Sequence, residues 1–128
     1  MKMIARFSVL IAAFLFVFTF IISSCESKED SILKVYVRDK NNDLLPDAKV
    51  IIIGDTKSNP PTMNYVDTMF TDDVGVAIFN MNEFFTLSGK SVSSGYFNIV
   101  VKYLSDKAEG TVRVKEHITS VQTVNFQP

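Results

Sequence analysis

The sequence predicts a small all-β domain, a single seven-stranded antiparallel sandwich or barrel. Three observations predict it. Apolar and polar residues alternate with a period of two from Leu33 to Arg38. A β-branched run from Ala48 to Ile53 is bounded by turn residues on both sides. Further short apolar segments are separated by clusters of Asp, Asn, Gly and Ser, and no helical period competes with them.

The expected strands follow one another at short intervals. Beyond the first two, we expect strands at Tyr65–Phe70, Gly75–Phe79, Tyr96–Leu104, Gly110–Lys115 and Ser120–Phe126. Pro60 and Pro61 argue against an ordered strand between the second and the third. Asn80–Leu87 is ambiguous and is compatible with one helical turn, whereas the serine-rich Gly89–Gly95 is expected to be a flexible loop.

The first 24 residues have the three-part layout of a secretion signal. Met1 to Arg6 is basic, Phe7 to Ile22 is an almost unbroken apolar run, and two serines follow. As a helix, this 16-residue run is about 24 Å long, short of a hydrocarbon core of roughly 30 Å. The sequence therefore predicts a cleaved signal peptide over residues 1–24, with an uncleaved membrane anchor as the alternative.

The tetrapeptide Ile22-Ser23-Ser24-Cys25 resembles the bacterial lipobox, in which an aliphatic residue and two small residues precede a lipidated cysteine. It lies directly after the apolar run and contains the only cysteine of the chain. The resemblance implies cleavage between Ser24 and Cys25, and acyl chains such as palmitate on Cys25 that hold the protein on a membrane. A lone cysteine also excludes an intramolecular disulfide and a four-thiolate zinc site.

Residues 25–31 are expected to form a lipidated acidic tether. Within it, Lys28-Glu29-Asp30 resembles the Lys-acid-acid signal with which some diderm bacteria export lipoproteins to the cell surface. Glu26 also differs from the aspartate that is usual for retention at the inner membrane. The alternative is a solvated linker that carries no localisation signal. The resemblance implies an outer-membrane lipoprotein, at the cell surface or on the periplasmic face.

Charge is distributed unevenly along the chain. Lys2 and Arg6 are the only charged side chains before Cys25, and 11 basic and 14 acidic side chains follow it, a formal charge of −3. Nucleic-acid binding needs a concentrated basic face. The sequence therefore predicts no nucleic-acid partner.

Four motifs are similar, in their order, to those of a known sandwich family. They are Val35–Asp39, Leu45–Val50, Thr71–Phe79 and Gly95–Val101. Together they resemble the transthyretin-like (prealbumin-like) sandwich of carboxypeptidase regulatory-like domains and of bacterial Ig-like domains of the invasin type. The resemblance spans most of residues 32–126 and implies a Greek-key sandwich over residues 32–128. Asp47 stands where the family usually has glycine, and Asp also tolerates tight turns.

The turn from Thr71 to Gly75 has two features of interest. Gly75 is expected to supply a positive φ between two strands, so that Gly75→Val lowers stability by about 1–3 kcal/mol. Asp72 and Asp73 are adjacent carboxylates, which suggests acid–base chemistry. Neighbouring residues in a turn usually point apart, however, and capping of backbone amides is the favoured interpretation.

No other segment predicts a catalytic, cofactor or metal site. Asp39-x-Asn41-x-Asp43 has the opening spacing of an EF-hand loop, but Leu44 stands where that loop needs glycine and Val50 where it needs glutamate. A turn explains these residues better. His117 is the only histidine and has no Cys or Ser partner for a metal site or a catalytic triad.

The long loops supply a candidate binding surface for a protein or glycan partner. Its residues are Met63, Tyr65, Phe84 and Phe85. The favoured interpretation of the two phenylalanines is instead that they plug one end of the sandwich, because large apolar patches seldom stay exposed. The sequence thus favours a non-enzymatic binding or accessory module at the cell envelope. The alternatives are a structural subunit of an envelope complex and, less favoured, an enzyme or enzyme inhibitor.

Overall fold

A computed structural model of the protein describes residues 28–127, so the predicted signal peptide, the predicted cleavage site at Ser24 and the predicted lipidation site at Cys25 lie outside the described residues. The described part is mostly β-structure. It contains β1 (Ile32–Arg38), β2 (Lys49–Gly54), β3 (Val66–Phe70), β4 (Val76–Asn80), the short helix α1 (Asn82–Ser88), β5 (Ser94–Tyr103), β6 (Asp106–Lys115) and β7 (Thr119–Asn125). The all-β prediction is confirmed. No helix within residues 28–127 has the length and apolarity needed to span a membrane.

The seven strands form the two sheets of a sandwich. One sheet has the order β4-β1-β7 and the other β3-β2-β5-β6. Neighbouring strands are antiparallel except β1 and β7, which run parallel from Ile32 beside Thr119 to Arg38 beside Asn125. This parallel pair departs from the expected all-antiparallel pairing. It arises because the chain crosses from β6 to the other sheet and re-enters beside the start of β1.

The core lies between the sheets and follows from the alternation seen in the sequence. In a strand, successive side chains point to opposite faces. The inward positions of β1, β2 and β5 are therefore apolar and fully buried. They are Leu33, Val35, Val37, Val50, Ile52, Phe97, Ile99 and Val101. Each such side chain contributes roughly 1.5–3 kcal/mol when it leaves water.

β6 is longer than the sequence predicts, because it begins at Asp106 rather than at Gly110. A two-residue loop, Leu104 and Ser105, joins it directly to β5. The first half of β6 lacks β-branched residues and so gives no strand signal. Small residues suit this strand because the sheets are close: a Cβ on Gly110 would lie 3.1 Å from Val124 Cγ2.

The turns at Asp39 and Gly75 have the predicted character. Asp39 Oδ1 accepts hydrogen bonds from the backbone N–H groups of Asn41 and Asp43, at 2.8 and 3.0 Å. Gly75 adopts a φ of 74°. Asp47, at the position that is glycine in the resembled family, has a φ of 60°. Asp occupies this left-handed conformation more readily than most residues other than glycine.

The carboxylate of Asp72 is used as a cap. Its Oδ1 accepts hydrogen bonds from the N–H groups of Val74 and Val76, at 3.0 and 3.1 Å. The backbone closes the same turn, because Gly75 N–H donates to the Asp72 carbonyl at 2.9 Å. Capping, the favoured interpretation of this aspartate, is therefore confirmed.

Candidate functional site

The sandwich has two different ends, because β1 runs from one to the other. We call the end where residues 28–31 lie the proximal end and the opposite one the distal end. The proximal end contains the loop 55–65, α1 and the turn 116–118, and the distal end contains the turns 39–47, 71–75 and 104–105. Both sheets extend between the two ends.

The residues before β1 are held against the proximal end. Asn82 Nδ2 donates to Asp30 Oδ1, and Asn82 Oδ1 accepts from the Ser31 N–H, both at 2.9 Å. The His117 N–H donates to Ser31 Oγ at 2.8 Å, and His117 Nδ1 lies 2.9 Å from the carbonyl oxygen of Glu29. Ser31, expected at the end of the tether, is 1% exposed. Two residues of the predicted export tripeptide, Glu29 and Asp30, therefore dock on the domain.

These contacts border an open groove of about 440 Å³ at the proximal end. Both signs of charge surround it, with Lys28 and Lys90 facing Glu29, Asp30 and Glu116. The mixture favours neither an anionic nor a cationic ligand. We therefore interpret the groove as the junction between tether and domain.

The predicted aromatic binding surface is wrong for two of its four residues. Phe84 is 1% exposed and Phe85 is 5% exposed, because α1 turns both rings onto the end of the sandwich. The ring centroid of Phe84 lies 4.9 Å from that of Phe97 and 5.4 Å from that of Tyr65, in edge-to-face geometry. Met63 and Tyr65 are half-buried and pack against the same core. The favoured interpretation of Phe84 and Phe85, a plug at one end of the sandwich, is therefore confirmed.

Tyr65 is the one residue of this plug with a perturbed proton affinity. Burial raises the pKa of its hydroxyl, and the carboxylates of Asp67 and Glu83 raise it further. The hydroxyl is therefore neutral at physiological pH. It remains a polar group at the rim of an apolar cluster.

The outer side of the sheet β3-β2-β5-β6 is a charged surface that the linear sequence does not reveal. Its outward strand positions include five exposed cations and one acid. The cations are Lys49, Lys102, Lys107, Arg113 and Lys115, and the acid is Glu109. We call this surface the basic face. Asp55 lies at its margin, just beyond β2, where its N–H donates to the Tyr96 carbonyl at 2.9 Å.

Three of these cations form a row across the strands. Lys49 is directly opposite Lys102, and Lys102 is directly opposite Lys107. Neighbouring strands are about 4.8 Å apart, and like charges directly opposite each other are destabilising. Within residues 28–127, the only ion pair between side chains of this face joins Lys107 to Glu109, at 3.0 Å. We call Lys49, Lys102 and Lys107 the lysine row.

Apolar side chains lie beside the lysine row on the same face. Phe70 is directly opposite Lys49, and Phe70 and Val66 are each 61% exposed. Half-buried Ile51, Ile53 and Val100 connect them across the sheet. Farther along, the Arg113 guanidinium lies 5.7 Å from the centroid of the Tyr96 ring. Charge and apolar area therefore adjoin on one sheet face.

The comparisons with known proteins concern the fold alone. No family model matches the chain, and no curated protein matches it in sequence. The Bacillus anthracis TIE protein is similar in structure, with a TM-score of 0.50 and 14% identity over 77% of this chain and 16% of that one. This likeness supports the β-sandwich fold.

Two dioxygenases show weaker similarity. Catechol 1,2-dioxygenase from Acinetobacter sp. ADP1 has a TM-score of 0.48 and 11% identity over 81% of this chain and 54% of that one. 3-Chlorocatechol 1,2-dioxygenase from Rhodococcus opacus 1CP has a TM-score of 0.49 and 10% identity over 80% and 61%. The chain spans less than two thirds of each of these proteins. Together, the fold and the structural comparison define this protein as a β-sandwich domain.

Proposed function

We propose that the protein is an exported lipoprotein in which a lipid on Cys25 holds a non-enzymatic binding module on the outer membrane. The docking of Glu29, Asp30 and Ser31 at the proximal end is the observation that carries this proposal. Four residue steps separate Cys25 from Glu29, which limits their separation to about 14 Å. A lipid on Cys25 therefore keeps the proximal end near the membrane.

The rest of the sandwich suits the display of a binding surface. The distal turns and both outer sheet faces lie away from the docked tether. A rigid sandwich that presents an exposed charged and apolar surface is a common basis for recognition. The basic face is therefore the surface on which this proposal places binding, in place of the buried Phe84 and Phe85.

We also assign the sandwich to the transthyretin-like class. Three features support this assignment: the Asp72 cap, the positive φ of Gly75 and the positive φ of Asp47 at the usual glycine position. Each is the conformation that the corresponding short motif requires. The class supplies the fold, and the activity is argued from the surface.

Fractionation of cells that express Cys25→Ala tests the anchor. The wild-type protein is expected in the membrane fraction and the variant in the soluble fraction, because the variant has no thiol for lipid. A variant that stays on the membrane would contradict lipid anchoring and favour the uncleaved apolar run as the anchor.

Protease treatment of intact cells tests whether the domain lies on the cell surface or on the periplasmic face. We expect digestion of the wild-type protein and protection of a variant in which Lys28, Glu29 and Asp30 are all alanine. Lys57→Ala, in an exposed loop, is the matched control and should be digested like the wild type. Because Asp30 bonds to Asn82, a thermal melt must accompany the triple variant. Protection of the wild type would place the domain on the periplasmic face.

A further inference from the structure

We infer that the basic face binds an acidic segment of a partner protein, with the lysine row pairing with its carboxylates. The inference deepens the proposed function and rests on it. Lys49, Lys102 and Lys107 form a line of like charges that the fold itself does not require. Opposing lysines weaken the sheet. A carboxylate-bearing ligand offsets this repulsion, because each carboxylate attracts the lysine ammonium groups beside it.

The segregation of charge favours an acidic partner over a neutral one. The basic face has five cations and one acid, whereas the remaining described positions have six cations and 12 acids. The described domain is thus net positive on this sheet face, and most of its acids lie in the turns, loops and tether. Such an arrangement orients an approaching acidic partner toward this face and accelerates its association.

The apolar side chains favour a protein over a glycan or a nucleic acid. Val66, Phe70, Ile51, Ile53 and Val100 form an exposed or half-exposed patch beside the lysine row. Apolar side chains of a protein pack on such a patch, and interfaces typically combine an apolar centre with a charged rim. A polyhydroxylated or phosphate-rich polymer gains little from the four aliphatic side chains of this patch, and Phe70 is its one aromatic ring.

The dimensions of the lysine row match an extended peptide. The row covers two inter-strand steps, about 10 Å, and carboxylates on alternate residues of an extended chain lie roughly 7 Å apart. Lysine side chains are long enough to bridge the difference. The expected ligand is therefore an extended segment in which acidic and apolar residues alternate.

Binding of a synthetic peptide of alternating Glu and Leu to the membrane-extracted protein tests the inference. A matched peptide of Gln and Leu is the neutral probe, and dextran sulfate and single-stranded DNA are the non-protein polyanions. We expect salt-dependent binding of the Glu–Leu peptide only. The combined variant Lys49→Gln, Lys102→Gln, Lys107→Gln should weaken it by about tenfold or more. The control variant Lys34→Gln, Lys57→Gln, Lys90→Gln, with the same change in net charge, should alter it less than about twofold.

Two further measurements distinguish specific recognition of the peptide from a general effect of charge and from a loss of folding. Phe70→Ala should weaken the Glu–Leu peptide, because the peptide uses the apolar patch. The lysine-row variant should melt at the same or a higher temperature in low salt, since repulsion is removed. Equal loss of binding in both triple variants, equal binding of dextran sulfate or DNA, or a lower melting temperature would overturn the inference. Such a result leaves lipid anchoring intact, because Cys25→Ala fractionation tests that separately.

Discussion

Thr71 joins the end of β3 to the segment that leads into β2. Its Oγ1 donates to the Leu45 carbonyl at 2.7 Å and accepts from the Ala48 N–H at 2.9 Å. The side chain is buried, so water does not replace these bonds. This geometry explains why threonine opens the turn motif from Thr71 to Gly75.

Replacing Thr71 by valine should lower the free energy of unfolding by about 1–3 kcal/mol, because a buried donor and a buried acceptor lose their partner. Thr71→Ser keeps the hydroxyl and should retain most of the stability. Urea denaturation of both variants measures the difference. Equal midpoints for the valine variant and the wild type would show that these two hydrogen bonds contribute nothing.

Gly75 and Gly89 form a natural pair for separating backbone strain from steric clash. Both have positive φ, 74° and 92°. A Cβ on Gly75 would lie 2.9 Å from Leu45 N, whereas one on Gly89 would meet nothing within 4 Å. Gly75→Val is therefore expected to cost about 1–3 kcal/mol of stability, and Gly75→Ala should cost more than Gly89→Ala. Thermal melts that rank the two alanine variants in the opposite order would contradict the clash.

At the scale of the elements, β3 is an edge strand whose own Asp67 side chain occupies a backbone N–H on the open edge. Gly54 N–H donates to the Tyr65 carbonyl and Thr71 N–H to the Ala48 carbonyl, so the odd-numbered positions of β3 pair with β2. The even-numbered ones direct their backbone groups to the open edge. There, Asp67 Oδ1 accepts from the Thr68 N–H at 2.8 Å. Charged residues that block an edge in this way protect sheets from edge-to-edge association.

Asp67→Ala should promote self-association, because it frees the Thr68 N–H on an edge where Val66 and Phe70 are exposed. Asp67→Asn keeps an acceptor oxygen and is the matched control. Sedimentation velocity over a range of concentrations measures the change. An alanine variant that associates no more than the asparagine variant would rule out a protective role for Asp67.

How well each element is predicted from the sequence depends on its local signal. β1 and β2 follow directly from alternation and from β-branched residues. The first half of β6 gives no strand signal, and the segment of α1 is ambiguous from sequence, because Ala108 and Phe84 are placed by packing against neighbouring strands rather than by local propensity. The same holds for the candidate site, since aromatic residues in loops do not reveal from sequence which way they turn.

At the scale of the whole molecule, folding creates a property that the composition hides. The part of the chain after Cys25 has a formal charge of −3, and net charge alone argues against a concentrated basic surface. The basic face combines Lys49 from β2 with Lys102 from β5 and three cations from β6. Strand order and register bring them together, and neither is visible in a linear count.

The orientation of the molecule also follows from a few contacts. Asn82 and His117 hold the tether at the proximal end. In the proposed lipoprotein, only a few residues separate Cys25 from this end, so the anchored domain could not turn over freely. The proposal therefore places the sheet faces beside the membrane surface, where a partner can reach the basic face from the side.

The central claim is that Cys25 is the lipid-carrying first residue of the mature protein. Intact mass spectrometry of the protein extracted from membranes tests it most directly. We predict a chain that lacks residues 1–24 and has the added mass of a diacylglycerol, with or without a further acyl group, which fragmentation assigns to Cys25. An unmodified chain that retains residues 1–24, or one cut elsewhere with a free thiol at Cys25, would contradict the claim.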